Sequence, residues 1–318
     1  MSGQVAALLS ALFWAIGSVL ITMGVKRIHV LPLNLIRCTI ATIVFWALLP
    51  FFGGFQALAA ISPWAWLWLF ASVLALLIVG DTLYFRGMDL AGVSWAMPAS
   101  SIHPLWAVLL AWFFVGEPLT WSLIAGAVLV VLGIVLVSRP TPRQAAGDPA
   151  EPLRGAGTAG EVPQTSGAMA PEAAAGGKAR KTGLLMALAA SLLWGAGQVA
   201  LRPATEGLDP VVASSARMAM GTLILLGLTL YRGRWRDLHG LGRQTWALII
   251  VASLVSTVFG TWLFIYAIQT IGAGRNAVIA ATAPLMALPF AMIWLQEKPT
   301  RWTLVGTLVT AAGLIFVA

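Results

Sequence analysis

Residues 91–137 read AGVSWAMPASSIHPLWAVLLAWFFVGEPLTWSLIAGAVLVVLGIVLV, and residues 271–318 read IGAGRNAVIAATAPLMALPFAMIWLQEKPTRWTLVGTLVTAAGLIFVA. The two stretches match without a gap at an offset of 180 residues, which is 284 minus 104 for the central prolines. The matched pairs are Gly92 and Gly272, Pro104 and Pro284, Glu117 and Glu297, Thr120 and Thr300, Gly126 and Gly306, and Gly133 and Gly313. Chance matches among apolar residues would not include Pro, Glu and Thr in constant register, so the chain contains a duplicated unit.

The same offset extends upstream of these stretches. It relates Trp14 to Trp194, Gly17 to Gly197, Arg37 to Arg217, Trp66 to Trp246 and Gly80 to Gly260. We therefore divide the chain into a first repeat at 1–138 and a second at 183–318. The intervening residues 139–182 are rich in Pro, Gly and Ala, with too few large apolar residues to offset the entropy of ordering. They predict a disordered linker, either a plain spacer or a partner-binding segment.

Composition identifies the class of protein. Of 318 residues, 59% are hydrophobic and 9% are charged, and the mean hydropathy is +0.90, which excludes a water-soluble protein. The net charge of +8 does not indicate nucleic-acid binding, because the cations lie in short gaps between apolar runs instead of on one exposed face. One cysteine, Cys38, excludes a disulfide framework and a thiolate metal cluster.

The apolar runs are long enough to cross a bilayer as helices of about 20 residues. We expect an all-α polytopic membrane protein with ten transmembrane helices, five in each repeat. The expected spans are 4–24, 31–51, 63–86, 93–115, 119–138, 183–202, 210–231, 245–268, 275–295 and 300–318.

Five spans are an odd number, so a second copy whose linker stays on one side enters the membrane from the opposite face. The two repeats are therefore predicted to be inverted. Inverted repeats are a recurring transporter architecture, because two similar halves that exchange conformations expose a midplane site to each side in turn. The sequence thus predicts a secondary-active transporter that works by alternating access.

The two opening stretches resemble the EamA-type repeats of the drug/metabolite transporter superfamily. The resemblance rests on a proline in the fourth helix of each half, a Glu-x-x-Thr turn and a glycine-spaced fifth helix. It implies ten helices and transport of small organic solutes, often export of amino acids or related metabolites. A cationic drug, a sugar or a nucleotide sugar remains an alternative substrate, because the superfamily carries these as well.

Prolines and tryptophans provide the first candidate site residues. Pro104 and Pro284 remove a helical hydrogen bond at mid-span, which is tolerated beside protein or a water-lined cavity; they either line the substrate site or are packing kinks. Trp14 and Trp194 lie near mid-helix and could contact substrate, although anchoring is the default role of a membrane tryptophan. We expect the substrate between the halves, against helices 1, 4, 6 and 9.

Ionisable residues inside the membrane are functional candidates by default. Arg37 and Asp81 lie at comparable depth and could form a structural ion pair, or Arg37 could reach the interface instead. The repeat mate of Asp81 is Thr261, which leaves Arg217 as a candidate for binding an anionic substrate group. His103, whose side-chain type titrates near neutral pH, is a candidate for substrate contact or, with Asp81, for proton coupling.

The sequence predicts neither an enzyme nor a cofactor. Catalysis or metal binding requires a cluster of His, Asp, Glu or Cys, which one buried Asp and one buried His do not supply. No P-loop is present. The expected partners are a small-molecule substrate, the lipid bilayer and, as a candidate coupling ion, a proton. A channel or another non-transporting membrane protein is the remaining alternative. The Glu-x-x-Thr turns are expected to be architectural, with Thr120 and Thr300 as helix N-caps.

Loop charges predict orientation in the cell membrane. One face carries Lys26, Arg27, Arg86, Arg139, Arg143, Arg154, Lys178, Arg180, Lys181, Arg232, Arg234, Arg236, Arg243, Lys298 and Arg301, and the other carries Arg202 and Arg275. The positive-inside rule places the linker in the cytoplasm and both termini outside. The resemblance implies the opposite orientation, and we follow the charges.

Overall fold

The structure is a computed structural model that describes residues 1–24, 28, 30–138, 177–238, 241–294 and 300–317. Within these ranges every regular element is helical and no strand occurs. Most of the predicted linker, from 139 to 176, lies outside the described residues, as does Glu297.

Eight helices of the described chain are long and apolar enough to span a membrane, and two further apolar helices have 17 residues each. In chain order they are α1 (Gly3–Gly24), α2 (Val30–Leu48), α3 (Pro63–Ala91), α4 in two parts (Val93–Ser100 and His103–Leu110), α5 (Trp121–Val137), α6 (Gly177–Thr205), α7 (Pro210–Tyr231), α8 (Arg243–Ile271), α9 in two parts (Ala273–Ala280 and Ala283–Trp294) and α10 (Arg301–Val317). Short helical turns occupy Leu49–Phe51, Gly54–Ala59 and Arg234–Leu238. The helical class and the multi-pass arrangement are as predicted.

Side-chain caps define where several helices begin. The Thr120 hydroxyl accepts a hydrogen bond from Leu123 N (3.2 Å), and Thr300 accepts one from Thr303 N (3.1 Å). The predicted N-cap roles of both threonines are therefore confirmed. A cap satisfies one of the backbone N–H groups that have no partner in the first turn of a helix.

The structure corrects one predicted helix boundary. Helix α6 begins at Gly177, six residues before its predicted start at 183. Its first turns carry three cations, and one of them, Arg180, lies over the Trp95 ring with its Cζ 3.8 Å from the ring centroid. Hydropathy alone missed this turn because a helix can continue beyond its apolar segment when polar or aromatic neighbours stabilise it.

Two helices are interrupted at equivalent positions of the repeats. Helix α4 breaks at residues 101–102 and α9 breaks at residues 281–282. Pro104 and Pro284 are each the second residue of the part that follows. A proline is tolerated in the first helical turn because its missing N–H would have no helical acceptor there. The predicted proline bends thus coincide with a short turn that divides each helix into two parts.

Helices α3 and α8 contain a second pair of equivalent irregularities. Residues Leu74–Gly80 and Ser253–Gly260 form π-helical turns, in which the backbone hydrogen bonds span five residues. Such segments are rare and are frequent at functional sites. Both end at a glycine of the repeat, Gly80 or Gly260.

The last helices of the two repeats pack closely. A Cβ atom added at Gly126 would lie 2.7 Å from the Gly313 carbonyl oxygen, and one at Gly133 would lie 2.6 Å from the Gly306 oxygen. Glycine is required here because the two backbones leave no room for a side chain. Since the earlier glycine of α5 meets the later glycine of α10, the helices are antiparallel.

Helices α2 and α7, another pair of repeat mates, also pack against each other. The hydroxyl groups of Thr42 and Thr222 hydrogen-bond at 3.0 Å, and the Trp46 indole N–H donates to the Ser215 carbonyl (3.4 Å). The order of these contacts is again antiparallel. Elements of the two repeats therefore meet along the middle of the molecule, where the candidate site lies.

Candidate functional site

A cavity of about 50 Å³ lies between the two repeats. Its lining residues come from α1, α2, α3, α7 and α8 and are Trp14, Asn34, Arg37, Cys38, Leu76, Leu77, Arg217, Met218, Thr257, Thr261 and Phe264. Six of them are repeat mates of one another, namely Arg37 and Arg217, Cys38 and Met218, and Leu77 and Thr257. The cavity is therefore lined by equivalent positions of the two repeats.

The cavity is narrow in this conformation. A water molecule needs about 10–15 Å³ of such volume, so 50 Å³ holds a few waters. Pockets for small organic ligands are typically about 300 Å³ or more. A solute can therefore occupy this position only after the surrounding helices move apart.

Arg37 lies in this cavity on α2. Its side chain is 6% exposed. One terminal nitrogen donates to Asn34 Oδ1 (3.3 Å) and the other to Ser256 Oγ (3.4 Å) on α8. Both distances are long for charge-assisted hydrogen bonds, which are usually about 2.7–2.9 Å. The alternative that Arg37 reaches the interface is not what the structure shows.

Arg217 occupies the equivalent position on α7 and is 5% exposed. Its Nε is buried and has no hydrogen-bond partner among the described residues. Small residues precede it on the helix, in the segment Ala213–Ala216, so that α7 can approach α2 closely. The structure thus keeps the guanidinium inside the protein beside the cavity, as the substrate-binding hypothesis requires.

Trp14 forms one wall of the cavity. Its ring packs against Phe264 with centroids 4.8 Å apart, and a Cβ added at Gly260 would lie 2.7 Å from Trp14 Cδ1. The π-helical turn of α8 therefore ends at Gly260, which packs directly against the Trp14 indole. The hypothesis that Trp14 contacts substrate is compatible with this position.

Trp194 makes equivalent packing contacts, but it does not line the cavity. It packs against Tyr84, the repeat mate of Phe264, with centroids 5.0 Å apart. A Cβ at Gly80 would lie 2.7 Å from Trp194 Cδ1. The structure therefore places one of the two predicted tryptophans at the cavity and the other in a matching site of the opposite repeat.

Trp194 also connects the two candidates for proton coupling. Its indole N–H donates to Asp81 Oδ1 (3.2 Å), and the His103 ring stands perpendicular to it with centroids 6.1 Å apart. Arg37 itself donates to Asn34 and Ser256, and the predicted structural ion pair between Arg37 and Asp81 stays a prediction.

Pro104 and Pro284 are buried, but neither lines the cavity in this conformation. The part of α4 that begins at His103 packs on α6, where a Cβ at Gly195 would lie 3.0 Å from the His103 carbonyl oxygen. The cavity is bounded by α1, α2, α3, α7 and α8, whereas the sequence analysis expected helices 1, 4, 6 and 9. A substrate role for Pro104, Pro284, His103 and Trp194 stays a prediction.

The sequence analysis missed a contact between the repeats made by Glu117. Its carboxylate accepts hydrogen bonds from Ala273 N (2.6 Å) and Gly274 N (2.9 Å) at the start of α9. Gly272, just before this helix, has φ = +89°, which glycine adopts readily. The Glu-x-x-Thr turn was expected to be architectural, but the helix that Glu117 caps belongs to the other repeat.

Comparisons with known proteins agree with this architecture. A family model described as the EamA-like transporter family matches residues 1–139 and 181–318. An "Uncharacterized transporter" of Archaeoglobus fulgidus is 24% identical over 97% of this chain and 95% of its own length. A "Probable terminal-alkyne amino-acid exporter" of Streptantibioticus cattleyicolor is 26% identical over 68% of this chain and 61% of its own length.

A solved crystal structure aligns with 99% of this chain and 96% of its own, with a TM-score of 0.73 and 18% identity, which supports the fold alone. An "Uncharacterized inner membrane transporter YhbE" of Escherichia coli is 26% identical over 42% of this chain and 41% of its own length. Together with the long apolar helices, these similarities identify a multi-pass membrane protein.

Proposed function

Because the chain belongs to the EamA-like transporter family, we propose that it is a secondary-active carrier that exports small organic solutes, amino acids or related metabolites, by alternating access. The observation that carries this proposal is the cavity between the repeats, three of whose lining pairs are repeat mates. A site on the axis between two similar halves keeps the same core residues when the halves exchange conformations. This property suits a binding site that opens to each side in turn.

The proposal includes ten membrane spans in two inverted repeats. The two 17-residue helices would be about 25 Å long at ~1.5 Å per residue, near the lower limit for a span. The antiparallel contacts of α5 with α10 and of α2 with α7 support the inversion, because equivalent helices of an inverted repeat run in opposite directions. Residues 139–176 would then connect the repeats on the cytoplasmic side, with both termini outside.

The irregular segments supply positions at which the helices can change shape. The π-helical turns of α3 and α8 end at Gly80 and Gly260, beside Trp194 and Trp14. Small backbone rotations there would shift each tryptophan relative to the cavity. The interrupted helices α4 and α9 offer a second pair of such positions, since a break has fewer helical hydrogen bonds to lose.

The lining charges discriminate between candidate substrates. Two arginines and no Asp or Glu are among the described lining residues, so a cationic drug would meet two like charges at the wall of the cavity. A solute with a carboxylate is favoured, because a guanidinium binds carboxylates through paired hydrogen bonds. The name of the amino-acid exporter among the relatives points to the same class.

Counterflow in proteoliposomes tests the proposal. Purified protein would be reconstituted, loaded with an unlabelled solute and assayed for uptake of the same radiolabelled solute, over a panel of amino acids, organic acids, sugars and cations. We expect saturable exchange of at least one carboxylate-containing solute, and loss of exchange in Thr257→Trp, which fills the cavity. Uptake equal to that of protein-free liposomes for every solute, or uptake that does not saturate, would contradict a carrier.

Linker accessibility tests the orientation. Single cysteines would be placed in residues 139–176 of a Cys38→Ala background and exposed to an impermeant thiol reagent in intact cells. Labelling only after permeabilisation is expected for a cytoplasmic linker. Strong labelling of intact cells would reverse the orientation.

A further inference from the structure

We propose that the cavity holds the carboxylate of its solute on Arg217 and a neighbouring amino or hydroxyl group on Thr257, and that its solutes are monocarboxylic acids of this kind with an apolar side chain. This inference rests on the proposed carrier function and specifies the substrate class of the same cavity. The observation that carries it is a contrast between Arg217 and its repeat mate Arg37, whose surroundings differ.

Arg37 has partners within the protein. Its two terminal nitrogens donate to Asn34 Oδ1 and Ser256 Oγ, and it interacts electrostatically with Asp81. Buried charges in proteins are normally accompanied by hydrogen-bond acceptors and by opposite charge. The protein supplies both to this guanidinium, which suits a structural role.

The second repeat does not supply the same partners to Arg217. At the offset of 180 residues, three positions correspond to those partners, namely Ser214 to Asn34, Leu76 to Ser256 and Thr261 to Asp81. The side chain of Leu76 has no polar atom, and that of Thr261 carries no charge. Ser214 Oγ is buried without a hydrogen-bond partner in the described part of the chain. At these three positions the second repeat thus lacks the bonded acceptors and the acid of the first repeat.

Arg217 therefore retains unused hydrogen-bonding capacity inside the protein. It lines the cavity and is 5% exposed, and its Nε is buried without a partner among the described residues. An unmade hydrogen bond at a buried charged group is costly. Nε and a terminal nitrogen of one guanidinium can together hold the two oxygens of a carboxylate. A bound carboxylate supplies the acceptor and the negative charge that the second repeat lacks.

The same contrast sets the number of acidic groups on the solute. Two arginines line the cavity, but Arg37 already interacts with Asp81. One carboxylate of the solute is therefore enough to neutralise the remaining cation. A dicarboxylate would bury its second charge without a matching cation, which is unfavourable.

Thr257 provides a second polar contact for the solute. It lies in the π-helical turn of α8, lines the cavity and is 8% exposed. Its Oγ1 is buried without a partner in the described chain, and a hydroxyl oxygen can accept a hydrogen bond. Because the cavity is only about 50 Å³, a donor group on the carbon next to the carboxylate suits this position.

The rest of the lining suits an apolar side chain on the solute. It is formed largely by apolar residues, which are Trp14, Leu76, Leu77, Met218 and Phe264. Contact with these side chains removes apolar surface of the solute from water, which favours binding. The site therefore combines one cation, one free acceptor and an apolar wall.

Ligand protection of Cys38 provides a direct test. Cys38 is the one cysteine of the chain and it lines the cavity, so its modification by a small neutral thiol reagent reports occupancy. The full-length protein would be treated with methyl methanethiosulfonate in the presence of L-leucine, 2-hydroxy-4-methylpentanoate, 4-methylpentanoate, L-leucinamide or succinate. Thermal unfolding with the same solutes gives a second readout that does not depend on access of the reagent.

We expect L-leucine and 2-hydroxy-4-methylpentanoate to slow modification and to raise the unfolding temperature. L-Leucinamide, which lacks the carboxylate, and succinate, which adds a second one, should need at least about 10-fold higher concentrations for the same effect. 4-Methylpentanoate has no donor group beside its carboxylate, so it should bind about 2-fold to 10-fold more weakly than L-leucine, the range of one neutral hydrogen bond.

Substitutions then assign each contact to its residue. In Arg217→Gln the affinity for L-leucine should fall by about 10-fold to 100-fold, the range expected for a lost hydrogen bond to a charged group, and the preference over L-leucinamide should disappear. Thr257→Val should weaken L-leucine by about 2-fold to 10-fold and leave 4-methylpentanoate unchanged. Arg86→Gln, at an exposed arginine of α3 outside the cavity, is the matched control and should bind like the unaltered protein.

The repeat mates should also differ in stability without a solute. Arg37→Gln should lower the unfolding temperature, because it removes a cation that has partners, whereas Arg217→Gln should leave it unchanged or raise it. Arg217→Lys is a second variant that keeps the charge and loses the paired donors. It should bind L-leucine more weakly than the unaltered protein and still prefer it to L-leucinamide.

Three results would overturn the inference. They are equal effects of L-leucine and L-leucinamide on the unaltered protein, a preference between them that persists in Arg217→Gln, and the absence of any monocarboxylate effect in both assays. Saturable counterflow of L-leucinamide or a sugar, unchanged in Arg217→Gln, would leave the carrier function intact and remove the carboxylate site. Binding of L-leucine that depends on Arg217, without counterflow of any solute, would support the site and contradict the carrier.

Discussion

Thr42 and Thr222 hydrogen-bond to each other through their hydroxyl groups at 3.0 Å, and they occupy the same position of the two repeats. A residue that touches its own repeat mate lies on the axis that relates the halves. If the halves exchange conformations as proposed, this contact maps onto itself and is present in both end states. Contacts between residues that are not repeat mates, such as Trp14 with Phe264, would instead change places with the equivalent contacts of the other repeat.

The first prediction uses this axial contact. With Cys38 replaced by alanine, Thr42→Cys and Thr222→Cys should form a disulfide on mild oxidation, because the two hydroxyl oxygens are already in contact. Counterflow should be retained at about half or more of the reduced rate, since the bridged positions stay together in both end states. Loss of counterflow on oxidation, restored by a reductant, would mean that α2 and α7 separate during transport.

The second prediction concerns the cap between the repeats. Glu117→Ala removes a charged group that binds two backbone N–H groups of α9, and we expect a loss of about 0.5–2 kcal/mol of unfolding free energy. Thermal unfolding in detergent measures the change. Glu206→Ala, at an exposed glutamate, is the control. Equal unfolding temperatures for the two variants would show that the cap adds no stability.

The third prediction concerns the contact between Trp14 and Gly260. Gly260→Ala places a Cβ 2.7 Å from the indole, so the ring must shift at the wall of the cavity. Overpacking of this kind costs about 1–3 kcal/mol. We expect lower thermal stability together with an altered half-saturation concentration in counterflow.

The matched control for that variant is Gly227→Ala, because a Cβ there would meet nothing within 4 Å. It should be neutral or slightly stabilising, since alanine favours a helix more than glycine does. If Gly260→Ala were also neutral or stabilising, the Trp14 indole would have room to move, and its contact with Gly260 would not determine the shape of the cavity.

The sequence could predict features that repeat or that depend on local rules. The constant offset identifies Gly80 and Gly260 as equivalent positions. The Thr120 cap is also predictable, because an N-cap hydroxyl accepts from the backbone N–H three residues later. The contact from Glu117 to Ala273 N could not be found in this way, because it joins residues 156 positions apart. Only the packing of α9 against the end of α4 brings them together.

The position of the cavity was also beyond the sequence. Hydropathy identifies membrane helices but does not give their rotation when nearly every face is apolar. The prolines of α4 and α9 suggested a site beside them, whereas the structure brings Arg37 and Arg217 to the cavity through the packing of α2 on α7. The sequence signal for the position of the cavity was the match of these two arginines at the constant offset of 180 residues.

The last prediction concerns Asp81 and its repeat mate Thr261. Thr261 lines the present cavity, whereas Asp81 accepts the Trp194 indole N–H outside it. If the halves exchange conformations, Asp81 takes the position of Thr261 while Arg37 and Arg217, being mates of each other, remain at the cavity. The opposite state would then contain a carboxylate that competes with an anionic solute for the two arginines and promotes its release.

Asp81→Thr makes the two end states alike at this position. We expect a lower half-saturation concentration and a slower maximal rate of counterflow, because the solute anion would no longer be displaced. Asp89→Asn, at an exposed aspartate of the same helix, should leave both quantities unchanged. If Asp81→Thr instead raised the half-saturation concentration, or matched the Asp89 control, Asp81 would not enter the cavity, and its interaction with Trp194 would be structural in both states.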